Sequence, residues 1–237
     1  LETADHFVVL TSWARKVVIS NSGHPQKVAL NPLGYSLPPG KSKPAPLQRP
    51  TSPPVRIGCV GRFDRDKGSR ELVAALRMLP EQLAFAAELR GPARSDAERA
   101  LVAELQLMAC GDSRITIGGE IPARQMLETL ASYDLLCCPS TVLEGGPTVA
   151  IEARAVGTPV MGSNLGGLAE LITDGVNGRL LPPGDVPALA DALREVILDP
   201  VRTVDRWRTA LPKSRTMDDV VRDYLVLYTD AGRQCAA

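Results

Sequence analysis

From Val55 onward, short apolar runs alternate with stretches whose apolar positions recur at helical spacing. The apolar runs predict strands at VRIGCVG (55–61), LAFAAELRG (83–91), RITIGG (114–119), DLLCCPS (134–140), TPVMGS (158–163) and GRLLP (178–182). Between them, the 3.6-residue period predicts helices at SRELVAALRML (69–79), SDAERALVAELQLMA (95–109), ARQMLETLAS (123–132), PTVAIEARAVG (147–157) and VPALADALREVIL (186–198), with a short one over 168–172. Strands that alternate with helices call for a parallel sheet, and nearly continuous apolar strands call for burial on both faces. The expected fold is α/β, a Rossmann-like doubly wound parallel sheet over 55–200. Its ligands are expected in the loops at the carboxyl ends of the strands.

The flanks read differently. Residues 1–30 give a buried strand FVVL (7–10), a helix capped by Ser12 and a short strand VAL (28–30), too little to close a core alone. Residues 31–54 (NPLGYSLPPGKSKPAPLQRPTSPP) are rich in Pro, Gly and Ser and predict a linker, semi-rigid where prolines cluster. Beyond 201, helices are expected, with 217–228 crossing back toward the amino-terminal piece. The start lacks Met and opens on an acidic, helix-like turn, which reads as a cut through a larger protein.

Composition narrows the function. Lys plus Arg (27) balance Asp plus Glu (27) in a chain of 237 residues, and aromatics make up 4%, so neither an electropositive face nor base-stacking platforms for nucleic acid are available. Cys59, Cys110, Cys137, Cys138 and Cys235 form an odd, scattered set with no C-x-x-C pair, which excludes a disulfide framework and a zinc site and places the protein in a reducing cytoplasm. Cys137 and Cys138 fall on opposite faces of one strand and read as core. No apolar run approaches the ~18 residues of a membrane span.

Two strand-end loops carry candidate chemistry. GRFDRDKG (61–68) places Arg62 and Lys67 at a strand-to-helix turn, where they either grip a diphosphate or pair with Asp64 and Asp66 as solvated charges. In EGGPTVAIE (144–152), Gly146 suits a helix cap and Pro147 the first helical position, leaving the amides of Thr148 and Val149 free to attract an anion. Glu144 precedes the helix and Glu152 lies about one and a half turns into it, so the two bracket those amides as acceptors for sugar hydroxyls. The plainer reading makes them a dipole partner and a surface ion-pair member. Neither G-x-x-x-x-G-K-[ST] nor G-x-G-x-x-G occurs. A third segment (162–185) carries glycines 162, 166, 167, 175 and 178 around a short helix containing Glu170.

In this order, GRFDRDKG, EGGPTVAIEARAVGTPV and GSNLGGLAELITDGVNGRLLPPGD resemble the C-terminal half of retaining glycosyltransferases of family 4, which have the two-domain GT-B fold. The resemblance covers roughly residues 1–200 and departs at Gly146-Pro147-Thr148, where many members carry an aromatic and a further glycine. It implies donor binding without a cofactor or metal, the donor being a UDP- or GDP-linked sugar, and an acceptor that is a glycan, a lipid-linked or a small molecule. Gly61, Arg62 and Lys67 would hold the diphosphate and Glu152 the ribose. Glu144, with the backbone of Gly145, Gly146, Pro147, Thr148 and Val149, would hold the transferred sugar and nearby phosphate oxygens. Gly119, Glu120 and Ile121 would lie against the base. Residues 1–30 would then be the remnant of an amino-terminal acceptor domain, and the enzyme would work in the cytoplasm or peripherally at the inner membrane face. The alternatives are a nucleotide-sugar epimerase and a non-catalytic nucleotide-binding subunit.

Overall fold

A computed structural model describes residues 4–37, 42 and 51–235. Of the expected linker over 31–54, residues 38–41 and 43–50 lie outside the described residues. Six strands, β3 (Val55–Val60), β4 (Phe85–Arg90), β5 (Ile115–Gly118), β6 (Leu135–Cys138), β7 (Val160–Ser163) and β8 (Gly178–Leu181), form one parallel sheet in the order β5-β4-β3-β6-β7-β8. Two short parallel strands, β1 (Phe7–Val9) and β2 (Val28–Leu30), pair separately around helix α1 (Ser12–Ser22).

The helices divide by face. On one side α2 (Ser69–Arg77), α3 (Asp96–Ala109) and α7 (Val186–Leu198) bury Leu72, Leu76, Leu105 and Leu193 against Ile57, Leu89, Leu135, Cys137 and Met161. On the other, α4 (Met126–Ser132), α5 (Thr148–Ala155) and α6 (Gly166–Leu171) bury Leu127, Leu130, Ala150 and Leu168 against Val60, Leu136, Cys138 and Val160. Cys137 and Cys138 thus enter opposite cores, as strand alternation requires. The apolar strands carry two cores because both faces are covered.

Several boundaries differ from expectation by a residue or two. Thr11, not Ser12, is the N-cap of α1, because its side chain accepts from the Ala14 amide at 3.3 Å. Phe7 is 38% exposed rather than buried, since β1 pairs only with β2 and its outer side is uncovered. The expected short helix begins earlier, at Gly166. Beyond α7, a wide turn over Val201–Asp205 leads into α8 (Arg206–Thr209) and then α9 (Met217–Cys235). The start of α9 is held to the segment after β2: Asn31 Nδ2 donates to the Val220 carbonyl at 3.2 Å, and the Tyr35 amide donates to the Arg215 carbonyl at 3.0 Å.

β3 and β6 are adjacent in the sheet but leave it in opposite directions, toward β4 and toward β7. Their carboxyl-end loops diverge and open a crevice. One contact limits the opening. Gly68, at φ 72°, lies where an added Cβ would stand 1.9 Å from the Pro139 carbonyl oxygen. Gly68→Ala should combine left-handed strain with a backbone collision and cost roughly 2 kcal/mol or more, whereas Gly61→Ala, with nothing within 4 Å of the added methyl, should stay within about 0.5 kcal/mol. Urea unfolding of the two variants checks the difference.

Candidate functional site

The loop after β3 makes a tight helical turn at Arg65–Lys67. Asp64 caps it by accepting from the Asp66 amide at 3.2 Å. The turn raises Lys67 over the crevice, where its Nζ meets Glu144 Oε2 at 2.7 Å, so its partner is neither Asp64 nor Asp66. Arg62 stands farther out: its side chain is 62% exposed and its distance to Asp64 is 4.0 Å. The two loops are also joined through the Thr141 amide, which donates to the Asp66 carbonyl at 2.9 Å.

The loop after β6 holds Glu144 by both ends. Ser140 Oγ donates to Glu144 Oε1 in a close contact, and the Gly167 amide, at the start of α6, donates to the Glu144 carbonyl at 2.9 Å. Pro147 is the N-cap of α5 and not its first residue, because its ψ of 119° is extended. A proline cap has no side-chain acceptor, so the amides of Thr148 and Val149 open uncapped at the helix end. Glu152 lies on the next turn, half-buried. It has no side-chain hydrogen bond among the described residues, and burial raises its pKa above the ordinary 4.5.

A cavity of about 540 Å³ joins these groups. Gly61, Arg62, Lys67, Glu144, Gly146, Pro147, Thr148, Val149 and Glu152 line it; Gly145 does not. Of the loop after β5, Ile121 is buried in the α4–α5 core. Gly119 and Glu120 border a neighbouring groove of about 370 Å³, with Glu120 paired to Arg94 at 2.9 Å. The cavity takes Ala123 and Met126 in their place, along with Ser69, Arg90 and Ser140, which sequence reasoning did not single out. Ser140 carries a local signal, four residues before Glu144 in the same loop. Arg90 is signalled only by ending a strand, and Ser69 by nothing in the pattern. Cys59 also reaches the cavity, but burial pushes its thiol up to about 12, and burial likewise holds the Cys137 and Cys138 thiols neutral. Burial thus disfavours the thiolate, the nucleophilic form, at all three.

The glycine-rich third segment has a tethering role. Glu170, on α6, accepts from the amides of Ser12 at 2.8 Å and Trp13 at 2.6 Å. A carboxylate at a helix N-terminus satisfies free amides and complements the dipole. The same short helix therefore holds the Glu144 backbone with the Gly167 amide and α1 with its one carboxylate.

The six-stranded doubly wound parallel sheet is that of the C-terminal domain of GT-B glycosyltransferase structures. Residues 44–213 match the model of one family in that class, described as glycosyl transferases group 1, and the chain belongs to this family. Among its relatives is the 2-deoxystreptamine glucosyltransferase of Streptomyces kanamyceticus, 33% identical over 155 residues, covering 64% of this chain and 38% of that protein. The chain thus spans about two fifths of the length of curated relatives. Among solved structures, sucrose-phosphate synthase from Thermosynechococcus elongatus is similar at TM-score 0.79 and 29% identity, covering 99% of this chain and 60% of that one. The Anabaena protein HepE, solved in complex with UDP-glucose, shares the fold at TM-score 0.76 and 21% identity, covering 96% and 64%. No described helix is long and apolar enough to cross a membrane.

Glu152 sets a pH dependence. Burial penalises the ionised form, so in the interval between the unfolded and the raised folded pKa the folded chain binds more protons than the unfolded one. Its contribution to stability therefore falls as pH rises from about 4.5 through the raised value. Glu152→Gln should be more stable than wild type at pH 7, and the gap should close toward pH 4.5. Denaturant titrations at the two pH values test this, and an equal gap at both would contradict it.

Proposed function

We propose that the cavity holds the nucleoside diphosphate of a UDP- or GDP-linked sugar, and that the chain is the donor half of a retaining, metal-independent glycosyltransferase. One observation carries the reading: a paired Lys67 and Glu144, the open amides of α5 and an unpartnered Glu152 line the same cavity at the sheet's switch point. The names of relatives agree with it, a glucosyltransferase among the curated proteins and a UDP-glucose complex among the structures.

In transfer, the bond from the sugar's anomeric carbon to the diphosphate oxygen breaks, a bond to an acceptor hydroxyl oxygen forms on the same face, and the hydroxyl's proton passes to the departing diphosphate. The departing diphosphate gains negative charge. Lys67 and the amides of Thr148 and Val149 meet that charge without a metal, as preorganised groups, and the exposed Arg62 adds a second cation. Glu144, held from below by Ser140 and Lys67, keeps lone pairs for hydroxyls of the transferred sugar. Glu152 accepts from the ribose hydroxyls, which would supply the hydrogen bonds it lacks in the free chain.

The acceptor would sit on an amino-terminal half, of which β1, α1 and β2 are the last part. The exposure of Phe7, Leu10, Val17 and Leu30 supports this, because a two-stranded sheet with an open apolar face is not self-sufficient. The free thiols of Cys59, Cys137 and Cys138, the last two buried, fit a reducing compartment such as the cytoplasm.

Two calorimetric outcomes are expected. Charge-assisted hydrogen bonds contribute ~1.5–3 kcal/mol, so Lys67→Ala should weaken UDP about tenfold to a hundredfold and uridine far less. Arg62→Ala should do the same to a smaller and more salt-sensitive degree, given its exposure. If both variants bind UDP like wild type while folded, the diphosphate grip is absent. Glu152→Ala should weaken UDP much more than its 2′,3′-dideoxy analogue; equal losses would mean that Glu152 acts through the fold.

A further inference from the structure

Four residues of the cavity wall, Leu89, Arg90, Ala123 and Met126, come from β4 and from the segment and helix that follow β5. Arg90 is the polar group there, and its side chain is 25% exposed. Its head is fixed from two sides. Nε donates to the Gly119 carbonyl at 2.8 Å, and Nη1 donates to Glu88 Oε1 at 2.9 Å. Glu88 Oε2 accepts from the Tyr133 hydroxyl at 2.6 Å, so the carboxylate that orients Arg90 is itself oriented. The side chain lies across Gly118, where an added Cβ would stand 2.5 Å from Arg90 Cδ. A guanidinium has five N–H donors. Two are used here, and three have no hydrogen-bond partner among the described residues.

Sheet order places this head relative to the other groups. Ser140 and Glu144 follow β6, Arg62 and Lys67 follow β3, and Arg90 ends β4. At about 4.8 Å per strand, β4 stands about 10 Å from β6, on the scale separating the sugar end of a nucleotide sugar from its base. We propose that Arg90 is the residue that selects the base, by donating to a carbonyl-bearing edge, that of uracil or guanine. The assignment rests on the cavity holding a nucleoside diphosphate. A guanidinium offers donors only, and its fork matches the O6/N7 edge of guanine or a uracil carbonyl. Adenine would set its exocyclic amino hydrogens against it. Gly119 then bears on the base indirectly, through the carbonyl that holds Arg90 Nε, while Ile121 remains in the core.

The test is calorimetry of the chain with UDP, GDP, ADP and inorganic pyrophosphate, with thermal melts to confirm folding. Wild type should bind UDP or GDP about tenfold or more tightly than ADP. Arg90→Met should lose that margin and leave pyrophosphate affinity within about twofold. Arg90→Lys, which keeps the charge but not the fork, should lose the margin too. Gly118→Ala provides a second route, because it retains Arg90 and displaces it. A preference for ADP in wild type, or an undiminished margin in folded Arg90→Met and Arg90→Lys, overturns the assignment and leaves the nucleotide reading intact. If wild type binds none of the three nucleotides more tightly than pyrophosphate, no base is recognised, and both readings fall.

Discussion

The approach of Gly68 to the Pro139 carbonyl is the constraint on which the carboxyl edge of the sheet depends. Adjacent parallel strands with oppositely directed connections leave a gap by topology, and the width of the gap is set by what the two loops do next. Here the backbones come so close that no side chain fits, and the Thr141 amide bonds across to Asp66. The tight turn before Gly68 then aims Lys67 across the crevice at Glu144. A cation from one loop and an anion from the other thereby share one small volume.

That pairing has an electrostatic logic. Lys67 and Glu144 are both largely removed from solvent, and each would be costly to bury alone. Paired, and with Ser140 holding the second carboxylate oxygen, they form a preassembled polar floor. Glu152 is left in the opposite condition, half-buried without a partner, which is a standing cost to the free fold. Arg90 shows a third arrangement, a cation held firmly at its inner donors and open at its outer ones.

The same economy extends beyond the cavity. α6 is only six residues long, yet its Gly167 amide holds the Glu144 backbone and its carboxylate holds the start of α1. α6 thus contacts both the Glu144 loop and the start of α1.

The sequence by itself determined the doubly wound sheet, the order of its elements and the two loops that carry charge. Those features rest on local periodicity and on the chemistry of neighbours: Val55, Ile57 and the alternating Cys137 and Cys138 announce burial on both faces, and Pro147 after two glycines announces a helix end. The tertiary structure alone decided the partners. Lys67 lies beside Asp66 in sequence and bonds Glu144, 77 positions away. Ile121, beside Glu120, is drawn into the core by the apolar surface of α4. Glu170 finds α1 across 158 residues. Hydrogen bonds and ion pairs act over a few ångströms in space and carry no periodicity along the chain, so strand order and loop closure had to bring these groups together before any of their pairings existed.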